Sequence, residues 1–271
     1  VDKTKDKEKT IKKMADLIKH RGPDSDGYYT DDDIALGFRR LSIIDLEGGT
    51  QPIYNEEKDK LIFFNGEIYN YKYLKADLIE KGHKFSTNTD TEVILHGYEE
   101  YKEDFLLMLR GMFAFVIYDL KTKELFGARD FYGIKPLYYA TMKDSFMFGS
   151  EIKSFLAHPK FKKELNRDML EQYLTFQYSV GTDTFFKNVF KLIPGHYFKY
   201  KNGKLNINRY YEIKFEQNNK RTLEEWEKGI REVIDDSIEA HKVSDVEVGS
   251  FLSSGVDSSL IATLSEVDKI F

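Results

Sequence analysis

The sequence predicts an α+β domain over residues 1–211, followed over residues 212–271 by the beginning of an α/β unit. Up to residue 211, strand and helix patterns occur in blocks instead of alternating, and several antiparallel hairpins follow one another. Such blocks are typical of a layered α+β domain. After residue 222, a long amphipathic helix precedes an apolar run, a polar loop and another helix, which indicates a strand feeding a phosphate-type loop.

Composition limits the classes of protein that fit. The 271 residues suit one large domain or two ordinary ones, and the 21 Phe and 18 Tyr supply bulky side chains for cores. A net charge of −5 argues against a nucleic-acid partner, because such proteins usually carry a basic excess. Neither a long apolar run nor a leader pattern occurs, so we expect no membrane span and a cytoplasmic enzyme. Cysteine is absent, which excludes disulfides and a cysteine nucleophile within these residues.

The elements of the first domain follow from apolar spacing and turn residues. A helix is predicted over residues 10–18, where Ile11, Met14 and Ile18 recur at helical spacing before Gly22 and Pro23. Strands are predicted at residues 34–38, 61–64 and 112–118. Hairpins are predicted for residues 113–119 with 125–129, 137–140 with 146–149, and 197–200 before Asn202 and Gly203. Further helices are predicted at residues 72–81, 91–101 and 168–174.

The second part has a different order of elements. Residues 222–241 carry an amphipathic helix pattern that opens with Thr222 and Glu225, the spacing of a capping box. A buried strand is predicted over residues 246–252, then a polar loop over 253–258 and a helix marked by Leu260, Ile261, Leu264 and Val267. Residues 217–220 are the predicted linker.

Arg40 and Asp90 are candidates for binding a charged ligand. The guanidinium fork of Arg40 suits a carboxylate, and a structural salt bridge is the plainer alternative. Asp90 stands just before a predicted helix, where an N-cap is its default role, although an acid there could also bind an ammonium group. Together the two side chains would bracket both ends of an α-amino acid.

Asn65 and Gly66 directly follow the predicted strand 61–64, which places an amide side chain and a flexible backbone N–H at a strand end. Such a pair could hold a developing oxyanion, while an Asn-Gly pair is also a common turn.

The loop at residues 253–258 could bind an anion, because a strand feeding small residues at a helix amino terminus presents N–H groups and hydroxyls. It is not a Walker loop, since no Lys follows the glycine, and an ordinary Ser or Asp cap is the plainer alternative.

With the segments HRGPD at residues 20–24 and RDFYGIKPLYY at 129–139, these motifs resemble the glutamine-hydrolysing asparagine synthetase family. The resemblance implies a class II glutamine amidotransferase domain with the amino-terminal-nucleophile hydrolase fold, a four-layer α/β/β/α sandwich with two stacked antiparallel sheets. It also implies that the chain continues into the first strand, loop and helix of a doubly wound ATP pyrophosphatase-type domain.

The resemblance also assigns roles to residues. Arg40 would hold the α-carboxylate of glutamine, Asp90 and Glu67 its amino group, and Asn65 with the Gly66 N–H would form the oxyanion hole. The implied glutamine-binding residues are Arg40, Leu41, Ser42, Ile43, Ile44, Asn65, Gly66, Glu67 and Asp90. The implied ATP-binding residues are Leu252, Ser253, Ser254, Gly255, Asp257 and Ser258. Ser254 stands where the family pattern usually has its first glycine.

The implied reaction uses glutamine, aspartate and ATP, with Mg²⁺ accompanying ATP. Aspartate is activated as an acyl-adenylate, and ammonia released from glutamine displaces AMP. Members of the family often form homodimers, and neither a nucleic acid nor a membrane takes part.

One departure from the family pattern is central. The family nucleophile is a cysteine at the mature amino terminus, whereas residue 1 here is Val. The distance to the HRGPD segment is short by roughly a strand, on the order of six to ten residues. We expect that a leading strand carrying the nucleophile is missing, so that this chain binds glutamine poorly or not at all and hydrolyses none.

Three alternatives remain. A nucleophile-less glutamine-binding scaffold and a β-lactam-forming relative both fit the absent cysteine, although a full glutamine pocket speaks against the relative. Other class II amidotransferases carry different partner folds, so the loop at residues 253–259 separates them. Because one strand and one helix cannot form a doubly wound sheet, we expect residues after about 245 to be disordered or loosely docked in isolation.

Overall fold

The computed structural model describes residues 6–45, 48–142, 145–217 and 220–271. Contacts divide the chain into two units: unit 1 contains Val1–Ser42 and Glu47–Glu212, and unit 2 contains Ile43–Leu46 and Ile213–Phe271. Among the described residues, no helix is both long enough and apolar enough to cross a membrane.

The first half of unit 1 contains α1 (Lys7–Asp16), β1 (Ser25–Thr30), β2 (Ala35–Arg40), β3 (Ile53–Tyr54), β4 (Lys60–Ile68), α2 (Tyr71–Glu80) and α3 (Asp90–Tyr101). The second half contains β5 (Gly111–Asp119), β6 (Glu124–Arg129), β7 (Tyr138–Met142), β8 (Ser145–Gly149), α4 (Asp168–Phe176), β9 (Val189–Lys191), β10 (His196–Lys201) and β11 (Lys204–Arg209). Short 3₁₀ helices lie at Lys19–Arg21, Lys102–Leu107 and Ile152–Ala157.

One large antiparallel sheet organises unit 1, with the strand order β11-β10-β6-β5-β4-β3. Successive side chains of a strand point to opposite faces, so β4 divides its apolar residues between two sides. Leu61 and Phe63 belong to the core cluster that also contains Leu36 of β2, Phe146 of β8 and Phe198 of β10. On this side the large sheet therefore packs against the strands β1-β2 and β8-β7-β9.

Helices cover both outer faces of these sheets. Met14 of α1 packs with Ala140, Met147 and Val189 on the β8-β7-β9 sheet, and α1 also contacts β2. On the opposite side α3 packs against β4, and α2 packs against α3. The predicted four-layer α/β/β/α sandwich is confirmed.

Unit 2 contains α5 (Leu223–His241), β12 (Gly249–Ser250), α6 (Val256–Ser265) and β13 (Lys269–Ile270). The α5 helix begins with the predicted capping box, in which Glu225 N donates to Thr222 Oγ1 and Thr222 N donates to Glu225 Oε2. Strands β12 and β13 pair in parallel. The Asp45 N–H donates to Asp245 Oδ2 at 2.8 Å, and the Asp245 N–H donates to the Ile43 carbonyl at 3.2 Å.

Most predicted helices and hairpins are present within a few residues of their expected bounds, and three local predictions are wrong. Asn65 and Gly66 lie inside β4, which continues to Ile68, because β5 pairs with β4 along that whole length. Asp90 is the first residue of α3, and Thr89 is its N-cap. The apolar run 246–252 forms only the two-residue β12, since among the described residues β13 alone pairs with it. Strand β1 was not predicted, and residues 218–219 of the predicted linker lie outside the described residues.

Candidate functional site

A cleft with a cavity volume of about 110 Å³ lies between two strand edges of unit 1. In the described residues β2 pairs only with β1, and β8 only with β7, so each strand has one edge without a strand partner. We call the space between them the edge cleft; its walls include Met14 of α1, Gly37 of β2, Phe63 and Asn65 of β4, Ala114 of β5, and Phe148 of β8. An apolar, strand-bordered space of this kind is suited to an extended segment, because both edges present backbone N–H and C=O groups.

Asn65 points a polar group into this apolar surrounding. Its Nδ2 atom is buried and, within the part of the chain that the structure describes, has no hydrogen-bond partner. An unsatisfied buried donor costs about 1–3 kcal/mol, so Asn65 Nδ2 is a candidate donor to a ligand bound in the cleft. The next residue must be glycine, since a Cβ atom on Gly66 would lie 2.1 Å from the Met112 carbonyl oxygen.

Arg40 ends β2 and is 7% exposed. A Cβ atom added to Gly49 would lie 2.2 Å from Arg40 Nη2 and 2.8 Å from Thr89 Cγ2, so the guanidinium lies beside Gly49 and near the start of α3. The HRGPD segment fixes the adjoining backbone: the Asp24 N–H donates to the Arg40 carbonyl, and the Ser42 N–H donates to Asp24 Oδ2 at 2.8 Å.

Asp90 is the matching acid, 5% exposed and next to Thr89. Its Oδ2 accepts the Ile68 N–H at 2.9 Å, which joins α3 to the end of the β4 segment that carries Asn65, Gly66 and Glu67. Burial raises the pKa of Asp90 to about 7, the nearby Glu67 carboxylate adds to the rise, and the Ile68 hydrogen bond opposes it. An ammonium group placed beside Asp90 would favour its ionised form.

The sequence-predicted residues are therefore only partly brought together. Asn65, Gly66, Glu67 and Asp90 are linked through β4 and α3, and Arg40 lies beside Thr89. Leu41, 57% exposed, and Ser42 belong to the same unit. Ile43 and Ile44, in contrast, have their contacts within unit 2.

Several supporting residues were not predicted. Gln51 forms two hydrogen bonds with Phe64, its Nε2 donating to the carbonyl at 3.0 Å and its Oε1 accepting the N–H at 2.7 Å, immediately before Asn65. Here a side-chain amide bonds the backbone groups that a neighbouring strand would otherwise bond. Such an interaction produces no periodic pattern in the sequence, so it could not be predicted.

The first two residues of the RDFYG segment, Arg129 and Asp130, form hydrogen bonds with buried backbone groups, a structural role that was not predicted from the sequence. The Arg129 guanidinium donates to the carbonyl oxygens of Lys135 (2.7 Å), Leu192 (2.6 Å) and Gly133 (2.6 Å). The neighbouring Asp130 accepts the Phe113 N–H at 3.2 Å. These bonds satisfy buried backbone groups behind β5.

The loop before α6 is the second candidate site. Gly255 is the N-cap of α6 and provides no side-chain cap, so the helix amino terminus is open to an anion. Ser258 Oγ lies 3.1 Å from Ser253 Oγ and donates to the Gly255 carbonyl at 3.1 Å. Ser254 has φ +67°, a left-handed conformation that glycine adopts more readily.

Comparison with known families finds matches for two successive parts of the chain. Residues 1–211 match the family described as "Glutamine amidotransferase domain". The chain belongs to this family. Residues 229–267 match a second family, described as "Asparagine synthase".

Similar proteins include "Asparagine synthetase [glutamine-hydrolyzing] 1" of Bacillus subtilis (strain 168), 45% identical over 97% of this chain and 42% of that relative. A second B. subtilis protein, "Asparagine synthetase [glutamine-hydrolyzing] 3", is 37% identical over 94% of this chain and 42% of its own length. An asparagine synthetase of Zea mays is 36% identical over 96% of this chain and 39% of its own length. The chain thus spans less than half the length of these relatives.

Among solved structures, the glutamine phosphoribosylpyrophosphate amidotransferase of B. subtilis resembles this chain with a TM-score of 0.55. The similarity covers 97% of this chain and 62% of that one at 16% sequence identity. At this identity the likeness concerns the fold, and it agrees with an amidotransferase sandwich in unit 1.

Proposed function

We propose that this chain is the glutamine-binding part of an asparagine synthetase, with residues 1–211 as the amidotransferase domain and 212–271 as the start of the synthetase domain. The observation that carries the proposal is the buried Nδ2 atom of Asn65, which has no hydrogen-bond partner among the described residues and lies on a strand that is tied to Asp90. The family and the similar proteins support it. The alternatives of a glutamine-binding scaffold and a β-lactam-forming enzyme are outcomes of the tests below.

In the proposed complex, Arg40 binds the α-carboxylate of glutamine, and Asp90 with Glu67 binds the ammonium group. Of the Leu41–Ile44 segment, Leu41 and Ser42 are proposed to lie along the same substrate, whereas Ile43 and Ile44 belong to unit 2. Asn65 Nδ2 and the Gly66 N–H donate to the carboxamide oxygen as negative charge develops on it. Donors that are in place before the reaction stabilise that charge without reorganisation.

The nucleophile is proposed to come from an extra β-strand that occupies the edge cleft between β2 and β8. Such a strand would join β1-β2 and β8-β7-β9 into one sheet and would lie above Asn65. The thiolate of its cysteine would attack the carboxamide carbon, ammonia would leave with a proton, and water would cleave the thioester to glutamate. Without that strand and its cysteine we expect this chain to bind glutamine poorly or not at all and to hydrolyse none, because it has no cysteine of its own.

In unit 2, the loop at residues 252–258 is proposed to hold the phosphates of ATP. The uncapped amino terminus of α6 and the hydroxyls of Ser253 and Ser258 fit an anion, and Leu252, Ser254, Gly255 and Asp257 complete the segment. The aspartate side-chain carboxylate would attack the α-phosphorus of ATP with loss of pyrophosphate, and ammonia would then displace AMP. Mg²⁺ bound with ATP would neutralise phosphate charge. The proposed location of this enzyme is the cytoplasm.

The test uses the full-length protein that its gene encodes. Asn65→Ala is expected to lower kcat for ammonia release from glutamine by about 10²–10³-fold. Asparagine formation from added ammonia, aspartate and ATP should be unchanged, because it bypasses the oxyanion hole. Asn206→Ala, which removes an exposed amide of β11, is the control and should leave both rates unchanged.

The possible failures are distinct. Glutamine binding without hydrolysis in the full-length protein would favour the scaffold, and the absence of ammonia-dependent asparagine formation would contradict the synthetase assignment. If Asn65→Ala releases ammonia at the original rate, Asn65 is not part of the oxyanion hole. Size-exclusion chromatography of the same protein would show whether it is a homodimer.

A further inference from the structure

On the side of unit 1 away from the edge cleft, four side chains with metal-binding atoms converge. One ligand atom from each of Glu56, His83, His96 and Glu99 lies within 4.8 Å of the others. Three chain segments contribute: the turn after β3, the residues that follow α2, and the α3 helix itself. We propose that these four residues, called here the His-Glu cluster, form a structural zinc site.

The distances within the cluster agree with tetrahedral coordination. Glu56 Oε1 lies 3.3 Å from His83 Nδ1, and Glu56 Oε2 lies 3.3 Å from His96 Nδ1. Glu99 Oε2 lies 3.2 Å from His96 Nδ1. Ligand atoms about 2.0–2.1 Å from a tetrahedral ion are about 3.3 Å apart. Glu56 Oε2 and Glu99 Oε2 already have nearly this separation from His96 Nδ1, and one ligand atom from each of the four residues lies within 4.8 Å of the others.

The outer atoms of the two carboxylates are held by other groups. Asn55 Nδ2 donates to Glu99 Oε1 at 2.7 Å, which leaves Oε2 facing His96. The Lys84 N–H donates to Glu56 Oε1 at 2.8 Å, which leaves Oε2 as the Glu56 atom that faces His96. Outer hydrogen bonds of this kind orient metal ligands and are a regular feature of metal sites.

His96 is the buried centre of the cluster, with its side chain 0% exposed. Its Nε2 atom is buried and has no hydrogen-bond partner among the described residues, although Glu92 Oε1 lies 3.5 Å away. A carboxylate behind the second ring nitrogen, together with a metal on Nδ1, is the arrangement found for many zinc-binding histidines.

The donor types favour zinc over other common ions. Two imidazoles are unusual ligands for Mg²⁺ or Ca²⁺, which prefer oxygen, and no thiolate is present to select Cu⁺. Two carboxylates, two neutral imidazoles and one divalent cation also make a neutral group, which lowers the cost of burying the carboxylates. Four protein ligands leave no open position, so the site is structural and not catalytic.

The site would stiffen the segment that carries Asp90. Glu92 accepts the N–H groups of Ser86 and Thr87, and it is also the carboxylate behind His96. A zinc ion would therefore connect the end of α2, the residues before Thr89 and the second turn of α3.

The test is a titration of the metal-free chain with ZnCl₂, in which calorimetry measures binding and the rise in Tm measures stabilisation. We expect saturable binding of one Zn²⁺ per chain, and Co²⁺ in its place should give the visible absorption of a tetrahedral ion. Both His83→Gln and Glu99→Gln should weaken binding by at least about 100-fold, since even changes behind the ligands cost 10–100-fold. His241→Gln, an exposed imidazole at the end of α5, should bind as the unchanged chain does.

Circular dichroism of the metal-free variants separates loss of a ligand from loss of fold. If either variant fails to fold, Glu56→Gln, at the most exposed ligand, replaces it. Absence of saturable binding in the unchanged chain would overturn the proposal. Equal binding by the folded ligand variants would overturn it too, and would leave the cluster as a network of ion pairs around His96.

Discussion

The two units bury their apolar side chains very differently. In unit 1, Phe113 and Phe198 are fully buried between long, paired strands. In unit 2, Phe251, Val256 and Phe271 are 83%, 85% and 70% exposed, and its only buried apolar side chains in the described residues are those of Ile44, Ile238 and Ala262. Because the free energy of local unfolding follows buried apolar contact, unit 1 is expected to be stable and unit 2 to open readily.

The comparison also separates two kinds of site. The proposed glutamine site consists of buried groups that the core holds in place, such as Arg40 and Asp90. The proposed phosphate site consists of an exposed loop at a helix amino terminus. The first can be preorganised by its own unit, whereas the second has little packing of its own to fix it.

The largest expected effect is in the core of unit 1. Phe198→Ala should lower the free energy of unfolding by about 3–5 kcal/mol, because it leaves a cavity between the two sheets. Phe251→Ala in unit 2 is the matched control and should change it by less than about 0.5 kcal/mol, since that ring is 83% exposed. Urea unfolding followed by circular dichroism measures both.

The single tryptophan, Trp226, lies in α5, so its fluorescence reports unit 2 in the same experiment. A Phe251→Ala variant as damaging as Phe198→Ala would show that the two units do not differ in the way their burial indicates.

The next effect concerns the buried acid of unit 1. Below about pH 4, Asp90 is protonated in both the folded and the unfolded chain. Between about pH 4 and 7 it ionises mainly in the unfolded chain, because its folded pKa is raised to about 7, so stability falls as pH rises through this window. Asp90→Asn should abolish that fall and stabilise the chain at pH 8 by at most about 4 kcal/mol.

Asp257→Asn, at an exposed carboxylate of unit 2, is the control and should leave the pH profile unchanged. Denaturant unfolding at pH 4, 6 and 8 would check the prediction. An Asp90→Asn profile that follows the original one would mean that another group causes the pH dependence. In the full-length protein, bound glutamine should reverse the trend, since its ammonium group favours ionised Asp90.

Much of the fold could be predicted from the sequence, because helical spacing and hairpin turns are local signals. The capping box of Thr222 and Glu225 and the hairpin through Asn202 and Gly203 are examples. The continuation of β4 through Asn65 and Gly66 was missed, since it depends on pairing with β5 rather than on local preference. For the same reason the strand predicted over residues 246–252 was too long. The run has apolar side chains, but among the described residues only the short β13 pairs with it.

For the candidate site, the residues with suitable chemistry could be predicted from the sequence. The hydrogen bonds that hold them in place could not. Arg40, Asn65 and Asp90 stand out by chemistry. The hydrogen bonds between Gln51 and Phe64, and from the Ser42 N–H to Asp24, join residues that are distant in sequence and that only the fold brings together. The His-Glu cluster was also missed, because its four residues are spread over three elements without a recurring spacing.

The smallest expected effect tests the exposed loop of unit 2. Ser254 has φ +67°, whereas glycine adopts such angles without steric cost. Ser254→Gly should therefore stabilise unit 2 by about 1 kcal/mol, which Trp226 fluorescence during urea unfolding can detect.

Asn202→Gly is the matched change in unit 1, at φ +51° in the turn between β10 and β11. Because asparagine tolerates the left-handed region better than serine, its gain should be smaller than that of Ser254→Gly. If Ser254→Gly instead lowers the Trp226 midpoint, the serine hydroxyl contributes more to the loop than its backbone conformation costs. The strained backbone of Ser254 would then not be what limits the stability of unit 2.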